Sequence, residues 1–328
     1  MKYKQQLLAR VLGCLYGQAV GDSIGAGFEF MTARQIQNLH TLVFVDFFKS
    51  PCFANHIPGQ VTDDTEMARC LSRSIIETKG YYYADVHNRY VAWLNSNPID
   101  IGNTCRAGIT GSPSASSESN GTLMRIAPLA IYSLASEFDI LVNEAQPVEK
   151  AARRVFRLVQ SECNQTHLSY TVIWATYIYV QAIRRSLEGS SPTDTYKMCV
   201  GMLSRLRRTT PEVEQVYSWI SNCDDVWEQP NSNIGHCKVA LQYAFSCLKK
   251  ELPFKEALNR VIRQGGDTDT NGAIVGALLG ANQGISGIPS KWVDTIHYCQ
   301  PSRPEQYWCC NLEWEAEQLL KLIQKESK

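Results

Sequence analysis

Hydrophobic residues recur along most of the chain at the three- and four-residue spacing that is typical of amphipathic helices. Between residues 168 and 187 the sequence is apolar nearly all round, which predicts a helix buried at the centre of the fold. Strand-like alternation is scarce, and residues 41–47 are the one fair candidate. The pattern therefore predicts an all-α protein. The stripes behind this prediction are Leu7, Leu8, Val11, Leu12, Leu15 and Ala19; Met67, Leu71 and Ile75; Val148, Ala152, Val155 and Val159; and segments 239–248, 254–262, 272–279 and 312–323.

Three segments rich in Gly, Pro, Ser and Asn interrupt the helical pattern, at residues 51–60, 102–121 and 284–289. Loops as long as the second one are usually functional or mobile when they occur inside a compact domain. None has the composition of an interdomain linker, because apolar helical segments resume directly after each of them. The sequence therefore predicts a single domain over residues 1–328.

The charge balance narrows the classes of partner. Lys plus Arg equals Asp plus Glu, 32 against 32, so no net charge attracts the chain to nucleic acid or to an anionic membrane. With 44% hydrophobic residues the chain can bury a sizeable core, which excludes an intrinsically disordered protein. The composition thus predicts no nucleic-acid partner and no membrane partner, and any anionic ligand has to be recognised locally.

The N-terminal region and the cysteines both indicate a cytoplasmic protein. Arg10 and Gln18 interrupt the first apolar stretch, and no convincing cleavage site follows, so we expect neither a signal peptide nor a spanning helix. None of the 12 cysteines belongs to a C-x-x-C pair, which argues against a zinc site and favours reduced, buried thiols.

The first group of residues that can carry chemistry is Thr62-Asp63-Asp64-Thr65, directly before the helical stripe at 67–75. Thr and Asp are good N-cap residues, and acids suit a helix N-terminus. A cap needs only one such residue, however, and adjacent carboxylates repel each other unless a positive charge lies between them. Oxygen ligands of this kind suit Mg²⁺, Mn²⁺ or Ca²⁺. On these residues alone, capping and metal binding are equally good interpretations.

A second group, Gly265-Gly266-Asp267-Thr268-Asp269-Thr270, repeats the arrangement in the last quarter of the chain. Its two glycines permit backbone conformations that other residues avoid, and they let a ligand approach closely. Together the two groups offer about six oxygen ligands, enough for a pair of metal ions. The helix predicted behind the second group carries Gly272, Gly276 and Gly280 on one face, which indicates close packing against another helix.

These segments resemble the ADP-ribosylglycohydrolase family, which includes the dinitrogenase reductase-activating glycohydrolases. They stand in the family's order and are spread over nearly the whole chain, and the combination of two acidic groups with Asn-Gly and Thr-His motifs is highly specific. The matching segments are Gly21-Asp22-Ser23-Ile24-Gly25 with Glu29; Thr62-Asp63-Asp64-Thr65; Asp100-Ile101-Gly102-Asn103-Thr104 with Arg106; Asn120-Gly121-Thr122-Leu123-Met124-Arg125; Thr166-His167; and Gly266-Asp267-Thr268-Asp269-Thr270.

The resemblance implies an orthogonal bundle of α-helices around a central cleft with two divalent cations, Mg²⁺ or Mn²⁺. It places Glu29 near the metals, on a loop that closes over the substrate, and Asp100 near the scissile ribose. Asp63 or Glu29 is then the base or water-orienting carboxylate, and Asp100 delivers a proton. The implied metal ligands are Thr62, Asp63, Asp64, Asp267, Asp269 and Thr270.

Substrate binding is predicted at three further places. The Asn120-Gly121-Thr122 segment is predicted to open a helix whose free N–H groups suit a diphosphate, with an ordinary cap as the alternative. His167 belongs to a Thr-His pair that lies along the ADP-ribose cleft in relatives, with a capping or core histidine as the alternative. Gly266 is the third place. Arg125 either binds phosphate or braces the cleft acids, and the sequence does not decide between these roles.

The implied function is hydrolysis of the bond between ADP-ribose and a protein side chain, with N-linked ADP-ribosyl-arginine as the favoured substrate. O-linked ADP-ribosyl-serine and poly(ADP-ribose) are the runner-up substrates. A different class of function is an immunity protein that caps an ADP-ribosyltransferase toxin, with or without hydrolysis. The complete acidic groups favour an enzyme over a pure binder, because every expected ligand type is present.

Overall fold

The computed structural model describes residues 2–39, 44–135, 147–225 and 233–324. Within these ranges the chain is helical, and strand-like pairing is limited to isolated bridges such as the one between Thr32 and Gly265. The prediction of an all-α protein is confirmed. The helices are α1 (Lys2–Ala26), α2 (Ala33–Gln37), α3 (Asp63–Thr78), α4 (Tyr83–Asn95), α5 (Asn103–Ile109), α6 (Ala127–Tyr132), α7 (Pro147–Cys163), α8 (Tyr170–Glu188), α9 (Pro192–Leu206), α10 (Pro211–Ser221), α11 (Cys237–Lys249), α12 (Phe254–Ile262), α13 (Thr268–Gln283), α14 (Ser290–His297) and α15 (Leu312–Gln324), with 3₁₀ turns at Cys223–Asp225, Ile285–Gly287 and Glu305–Tyr307.

The strand candidate is only partly covered, because residues 41–43 lie outside the described residues; residues 44–47 form no strand. The helix expected at the centre is α8, and most of its side chains are buried. Ser169 caps its first turn, and Gly189 ends it in the left-handed conformation with φ 93°. Among the described residues, no helix is both long and apolar enough to cross a membrane.

Helices α1 and α13 pack with their backbones in direct contact. A Cβ atom on Gly17 would lie 2.2 Å from the Gly276 carbonyl oxygen, and one on Gly276 would lie 2.0 Å from the Gly17 oxygen. These separations are shorter than any van der Waals contact, so only glycine fits. The close packing expected of the small residues in α13 is therefore present, against a matching row in α1. The glycines of this interface are Gly13, Gly17, Gly21 and Gly25 in α1 and Gly272, Gly276 and Gly280 in α13.

The two helices run antiparallel, so the C-terminal end of α1 lies beside the N-terminal end of α13. A Cβ atom on Gly25 would lie 2.2 Å from the Thr268 carbonyl oxygen. Helix α3 begins at the same end of the pair, because Asp22 of α1 is bonded to its first turn. The three chain segments that carry the acidic groups are thereby brought together. The single domain predicted for residues 1–328 stays a prediction.

Candidate active site

Asp22 organises the first acidic group from α1. Its carboxylate accepts hydrogen bonds from the backbone N–H groups of Thr62 and Thr65, at 3.0 and 3.1 Å, and from the Thr65 hydroxyl at 2.6 Å. Thr62 makes no side-chain cap of its own; its hydroxyl lies 2.9 Å from Asp22 Oδ1 and 3.0 Å from Asp64 Oδ2. Because Asp22 satisfies the start of α3, Asp63 and Asp64 are not needed as caps.

Glu29 organises the second acidic group, as Asp22 organises the first. Its Oε2 accepts the backbone N–H groups of Thr268, at 2.8 Å, and Asp269, at 3.3 Å, so it caps α13 from the loop after α1. The loop is held in place by Gly266, which donates to the Met31 oxygen at 2.8 Å and accepts from Phe30 N at 2.9 Å. Gly266 therefore positions the segment that carries Glu29, and it is absent from the residues that line the cleft.

The two acidic groups meet although they lie far apart in the sequence. The Thr270 hydroxyl is 3.5 Å from Asp64 Oδ2, across 206 residues of chain. Carboxylate oxygens of Glu29, Asp267 and Asp269 lie within 4.8 Å of one another, which is a spacing that can hold a metal ion. Asn120 donates its amide to Asp267 Oδ2 at 2.7 Å and so fixes that carboxylate.

These carboxylates open into a cleft of about 380 Å³. No Lys, Arg or His is among the described residues that line it, whereas five carboxylates are. Phe30 stands at its mouth with 60% of its surface exposed. The lining residues are Glu29, Phe30, Asp63, Asp100, Ile101, Gly102, Asn103, Thr104, Cys105, Ser119, Asn120, Gly121, Met124, Ile234, Gly235, Asp267, Asp269 and Thr270.

Burial and mutual repulsion make this cluster unfavourable when every member is charged. Burial, and then the nearby charge of Asp267, raises the pKa of Glu29 to about 8. Burial, and then Asp100, raises the pKa of Asp63 well above its ordinary value. Asp64 Oδ1 is buried and has no hydrogen-bond partner among the described residues. A buried carboxylate oxygen without a donor fits a cation ligand, because such an atom is otherwise costly to bury.

The predicted substrate residues occupy different positions. Asn120 and Gly121 line the cleft, whereas the Thr122 hydroxyl lies 2.7 Å from the Thr176 hydroxyl and is fully buried. The helix predicted to open at Asn120 is not present: residues 121–125 form turns, and α6 begins at Ala127. The bond from Met124 N to the Asn120 oxygen, at 3.2 Å, closes a single turn that does not continue as a helix, so the helix N-terminus expected for a diphosphate is not present at Asn120.

His167 and Arg125 lie behind the cleft wall. His167 Nε2 is 2.7 Å from the hydroxyl of Ser119, which lines the cleft, and burial lowers the pKa of His167 to about 3. It is therefore a neutral ring that positions Ser119. Arg125 forms a buried ion pair with Glu162 at 2.9 Å, so of its two possible roles the structure shows a bracing one, directed at Glu162 rather than at the cleft acids.

Sequence reasoning placed Asp22 in a segment that matches the family but did not predict its bonds to α3, and it gave no role to Ser119. Asp22 had a visible signal: it lies seven residues after Leu15 and three after Ala19, on the apolar stripe of α1, where an unpaired acid is out of place. Ser119 is one serine among many in a polar loop, and only the bond to His167 distinguishes it.

The chain is similar to known proteins in both sequence and fold. The family model described as ADP-ribosylglycohydrolase matches residues 3–327. The chain is 29% identical to the ADP-ribosyl-[dinitrogen reductase] glycohydrolase of Rhodospirillum rubrum, over 88% of this chain and 90% of that protein. It is 26% identical to the ADP-ribosylarginine hydrolase Tri1 of Pseudomonas putida, over 90% of this chain and 76% of that protein. A solved structure titled "ADP-ribosylglycohydrolase-related protein complex" has the same fold, with a TM-score of 0.70 at 23% identity, covering 97% of this chain and 99% of that one.

Proposed function

Because the chain belongs to the ADP-ribosylglycohydrolase family, we propose that it hydrolyses the N-glycosidic bond between C1 of ADP-ribose and an arginine side chain of a modified protein. The observation that carries the proposal is the meeting of two acidic groups, 206 residues apart, in a cleft whose described lining contains no basic side chain. The relatives named for ADP-ribosylarginine and for dinitrogen reductase support a protein substrate.

Two divalent cations, Mg²⁺ or Mn²⁺, suit this cleft. The donors are all oxygen atoms, which these hard cations prefer, and the unpartnered Oδ1 of Asp64 is available to them. When bound, such cations supply positive charge that orients sugar hydroxyls and water and stabilises developing negative charge. The residues that would hold them are Thr62, Asp63, Asp64, Asp267, Asp269 and Thr270.

The reaction requires one proton to be removed and one to be delivered. The oxygen of a water molecule bonds to C1 while the C1–N bond breaks, and the guanidine leaves with its nitrogen protonated. Asp63 and Glu29 are the proposed acceptors of the water proton. Among the described residues, the carboxylate of Asp63 accepts a hydrogen bond only from Gly102 N, at 3.3 Å, so it has capacity to accept a proton. Asp100 is the proposed proton donor. Among the described residues, its carboxylate accepts a hydrogen bond only from the backbone N–H of Ile101, at 2.8 Å.

The charge of the cleft favours arginine as the modified residue. Five carboxylates line it, and two divalent cations would offset four of these charges, so one negative charge remains to attract a guanidinium group. A serine oxygen brings no such charge. Phe30, exposed at the mouth, offers a ring against which a guanidinium can stack.

The test is incubation with a protein ADP-ribosylated on arginine, with release of free ADP-ribose followed by chromatography. We expect release with Mg²⁺ or Mn²⁺ and none after chelation. A serine-modified peptide and poly(ADP-ribose) serve as comparison substrates, and faster release from either would overturn the arginine assignment. No release from any substrate, together with tight binding of an ADP-ribosyltransferase, would favour the immunity protein instead, a role that stays a prediction.

A further inference from the structure

A continuous chain of hydrogen bonds joins the buried Arg125–Glu162 ion pair to the wall of the acidic cleft. Arg125 Nη2 donates to the Thr166 hydroxyl at 2.9 Å, and that hydroxyl lies 2.7 Å from Nδ1 of His167. Nε2 of His167 lies 2.7 Å from the hydroxyl of Ser119. The arginine, the threonine and the histidine are fully buried, whereas Ser119 lines the cleft. The chain therefore begins at a fixed charge in the core and ends at the cleft.

The direction of this chain follows from its first member. A guanidinium group can only donate, so the Thr166 hydroxyl accepts from Arg125. Among the described residues, the other partner of that hydroxyl is Nδ1 of His167, so Thr166 donates its own proton to Nδ1. The opposite arrangement would leave a fully buried hydroxyl proton without an acceptor, which is costly.

The tautomer of His167 follows in turn. Burial, and then the charge of Arg125, lowers the pKa of His167 to about 3, so the ring is uncharged at neutral pH and carries one proton. Because Nδ1 accepts from Thr166, that proton is on Nε2, and Nε2 donates to the Ser119 hydroxyl. In a serine–histidine nucleophile pair the histidine accepts from the serine, so this direction excludes that role for Ser119.

The proton of the Ser119 hydroxyl is left for a ligand. Among the described residues, this hydroxyl has no hydrogen-bond partner besides His167. Backbone bonds on both sides hold the residue in place. Asn120 N donates to the Gly235 oxygen at 2.9 Å, and Cys237 N donates to the oxygen of residue 118, also at 2.9 Å. A fixed hydroxyl that already accepts from a histidine is an oriented donor.

We propose that Arg125, Thr166 and His167 are positioning residues that hold the Ser119 hydroxyl as a hydrogen-bond donor to a phosphoryl oxygen of the substrate's diphosphate. The inference rests on the proposed function, because it takes ADP-ribose as the ligand. Ser119 and Gly235 line both the acidic cleft and an adjoining cavity of about 480 Å³. With the distal ribose at the carboxylates, the diphosphate is the next group along the ligand, and Ser119 stands where the cleft continues into that cavity.

The chemistry of the cleft favours a phosphoryl oxygen over a ribose hydroxyl as the partner of Ser119. Phosphoryl oxygens only accept hydrogen bonds, so they suit a hydroxyl whose direction is fixed as a donor. A ribose hydroxyl both donates and accepts, and it needs no such fixed direction. No Lys, Arg or His is among the described residues that line the cleft, so the side-chain contacts to the diphosphate have to come from neutral donors.

Titration calorimetry of the full-length protein with ADP-ribose, in the presence of Mg²⁺, tests the donor role. Ser119→Ala removes the donor, and Ser112→Ala is the matched control, because Ser112 is an exposed serine of the same loop that lines neither cavity. We expect Ser119→Ala to bind ADP-ribose at least about tenfold more weakly, and Ser112→Ala to bind it like the wild type. The ³¹P resonances of bound ADP-ribose should change in Ser119→Ala and stay unchanged in Ser112→Ala.

Two substitutions of Thr166 test the positioning chain. Thr166→Val keeps the shape of the side chain but removes the hydroxyl, whereas Thr166→Ser keeps the hydroxyl. We expect weaker ADP-ribose binding in Thr166→Val and wild-type binding in Thr166→Ser. The double variant with Ser119→Ala should bind no more weakly than Ser119→Ala alone, because Thr166 acts on the ligand only through Ser119. A purely structural role of Thr166 would instead add its own loss.

The tautomer of His167 can be determined without any ligand, by ¹⁵N NMR of the histidine rings with His167→Gln for the assignment. We expect the proton on Nε2. A proton on Nδ1, equal ADP-ribose affinity of Ser119→Ala and the wild type, or additive losses in the double variant would each overturn this inference. If the wild type still hydrolyses the modified protein, the proposed function survives that result. Absence of ADP-ribose binding to the wild type would overturn both.

Discussion

Asp63 and Glu66 lie on the same first turn of α3 and are both buried, yet among the described residues only Glu66 has a guanidinium partner. Glu66 accepts from Arg303 Nη2 at 2.8 Å and from Trp93 Nε1 at 2.7 Å. The only hydrogen bond to the carboxylate of Asp63 among the described residues is the one from the Gly102 backbone, at 3.3 Å. On one turn of helix, the protein thus supplies charged and polar side-chain partners to Glu66 but none to Asp63 among the described residues.

The Arg125–Glu162 pair extends the comparison, since both side chains are fully buried and pair at 2.9 Å. At Glu66 and Glu162, two buried carboxylates that serve the fold, the chain supplies a guanidinium, from Arg303 and Arg125. In the cleft, the described lining supplies none. The difference teaches that missing partners, rather than acidity or burial, distinguish a ligand site from a structural ion pair in this molecule.

The largest effect should follow from breaking a structural pair. Arg125→Met leaves Glu162 buried without its guanidinium, and removing one partner of a buried pair costs about 3–5 kcal/mol. We expect a fall of that size in the free energy of unfolding, measured by urea denaturation. A loss below about 1 kcal/mol, as at exposed pairs, would show that the Arg125–Glu162 pair is not what distinguishes the two regions.

Substitutions in the cleft should lower activity rather than stability. Asp63→Asn and Asp269→Asn each remove a charge from a repelling cluster while they keep the size of the side chain. Stability without metal should hold or rise, whereas hydrolysis should fall at least about a hundredfold, which corresponds to about 2.7 kcal/mol. The double variant should be little worse than either single one, because residues that act as a unit are not additive.

Glu66→Gln is the matched control for these variants, three residues from Asp63 on the same turn. It should lower stability and leave the metal requirement of the activity unchanged. Mg²⁺ should raise the melting temperature of the wild type and of Glu66→Gln, and it should raise that of Asp63→Asn much less. Full activity of Asp63→Asn at an unchanged metal concentration would contradict the two-cation proposal.

The smallest effect concerns how the second acidic group is held. Gly272→Ala and Gly280→Ala place a Cβ atom 2.3 and 1.9 Å from a carbonyl oxygen of α1, so each should lower stability by about 1–3 kcal/mol. Gly272 lies two residues after Thr270, whereas Gly280 is more than two turns away. Only Gly272→Ala should therefore also raise the metal concentration needed for half-maximal activity. Equal metal requirements in the two variants would show that the packing of α13 against α1 does not position the metal ligands at the start of α13.

The helices were readable from the sequence because their apolar stripes match what is buried, as Met67, Leu71 and Ile75 show in α3. A stripe can also mislead. The helix expected to open at Asn120 was to carry Leu123, Ile126 and Ala130, but Pro128 stands in the first turn of α6 and suits a helix that begins at Ala127.

The cleft was predictable in composition but not in arrangement. Both acidic groups could be recognised locally, since each is a run of Asp and Thr. That Thr270 approaches Asp64, and that Asp22 and Glu29 cap α3 and α13, depends on contacts between distant segments, which no local pattern contains. The glycines of α1 recur at every fourth residue, which by itself indicates a helix face that can pack closely against another helix. That α13 is the helix packed against it could not be read from this spacing.

The glycine contact between α1 and α13 has a consequence for the newly synthesised chain. Helix α1 is translated before α13, which follows roughly 240 residues later; at about 5–20 residues per second this is a delay of about 12–50 seconds. Throughout that interval the glycine row of α1 has no helix to close against. The acidic cleft therefore cannot form before α13 has been synthesised, and a ribosome-bound chain without α13 lacks the second acidic group.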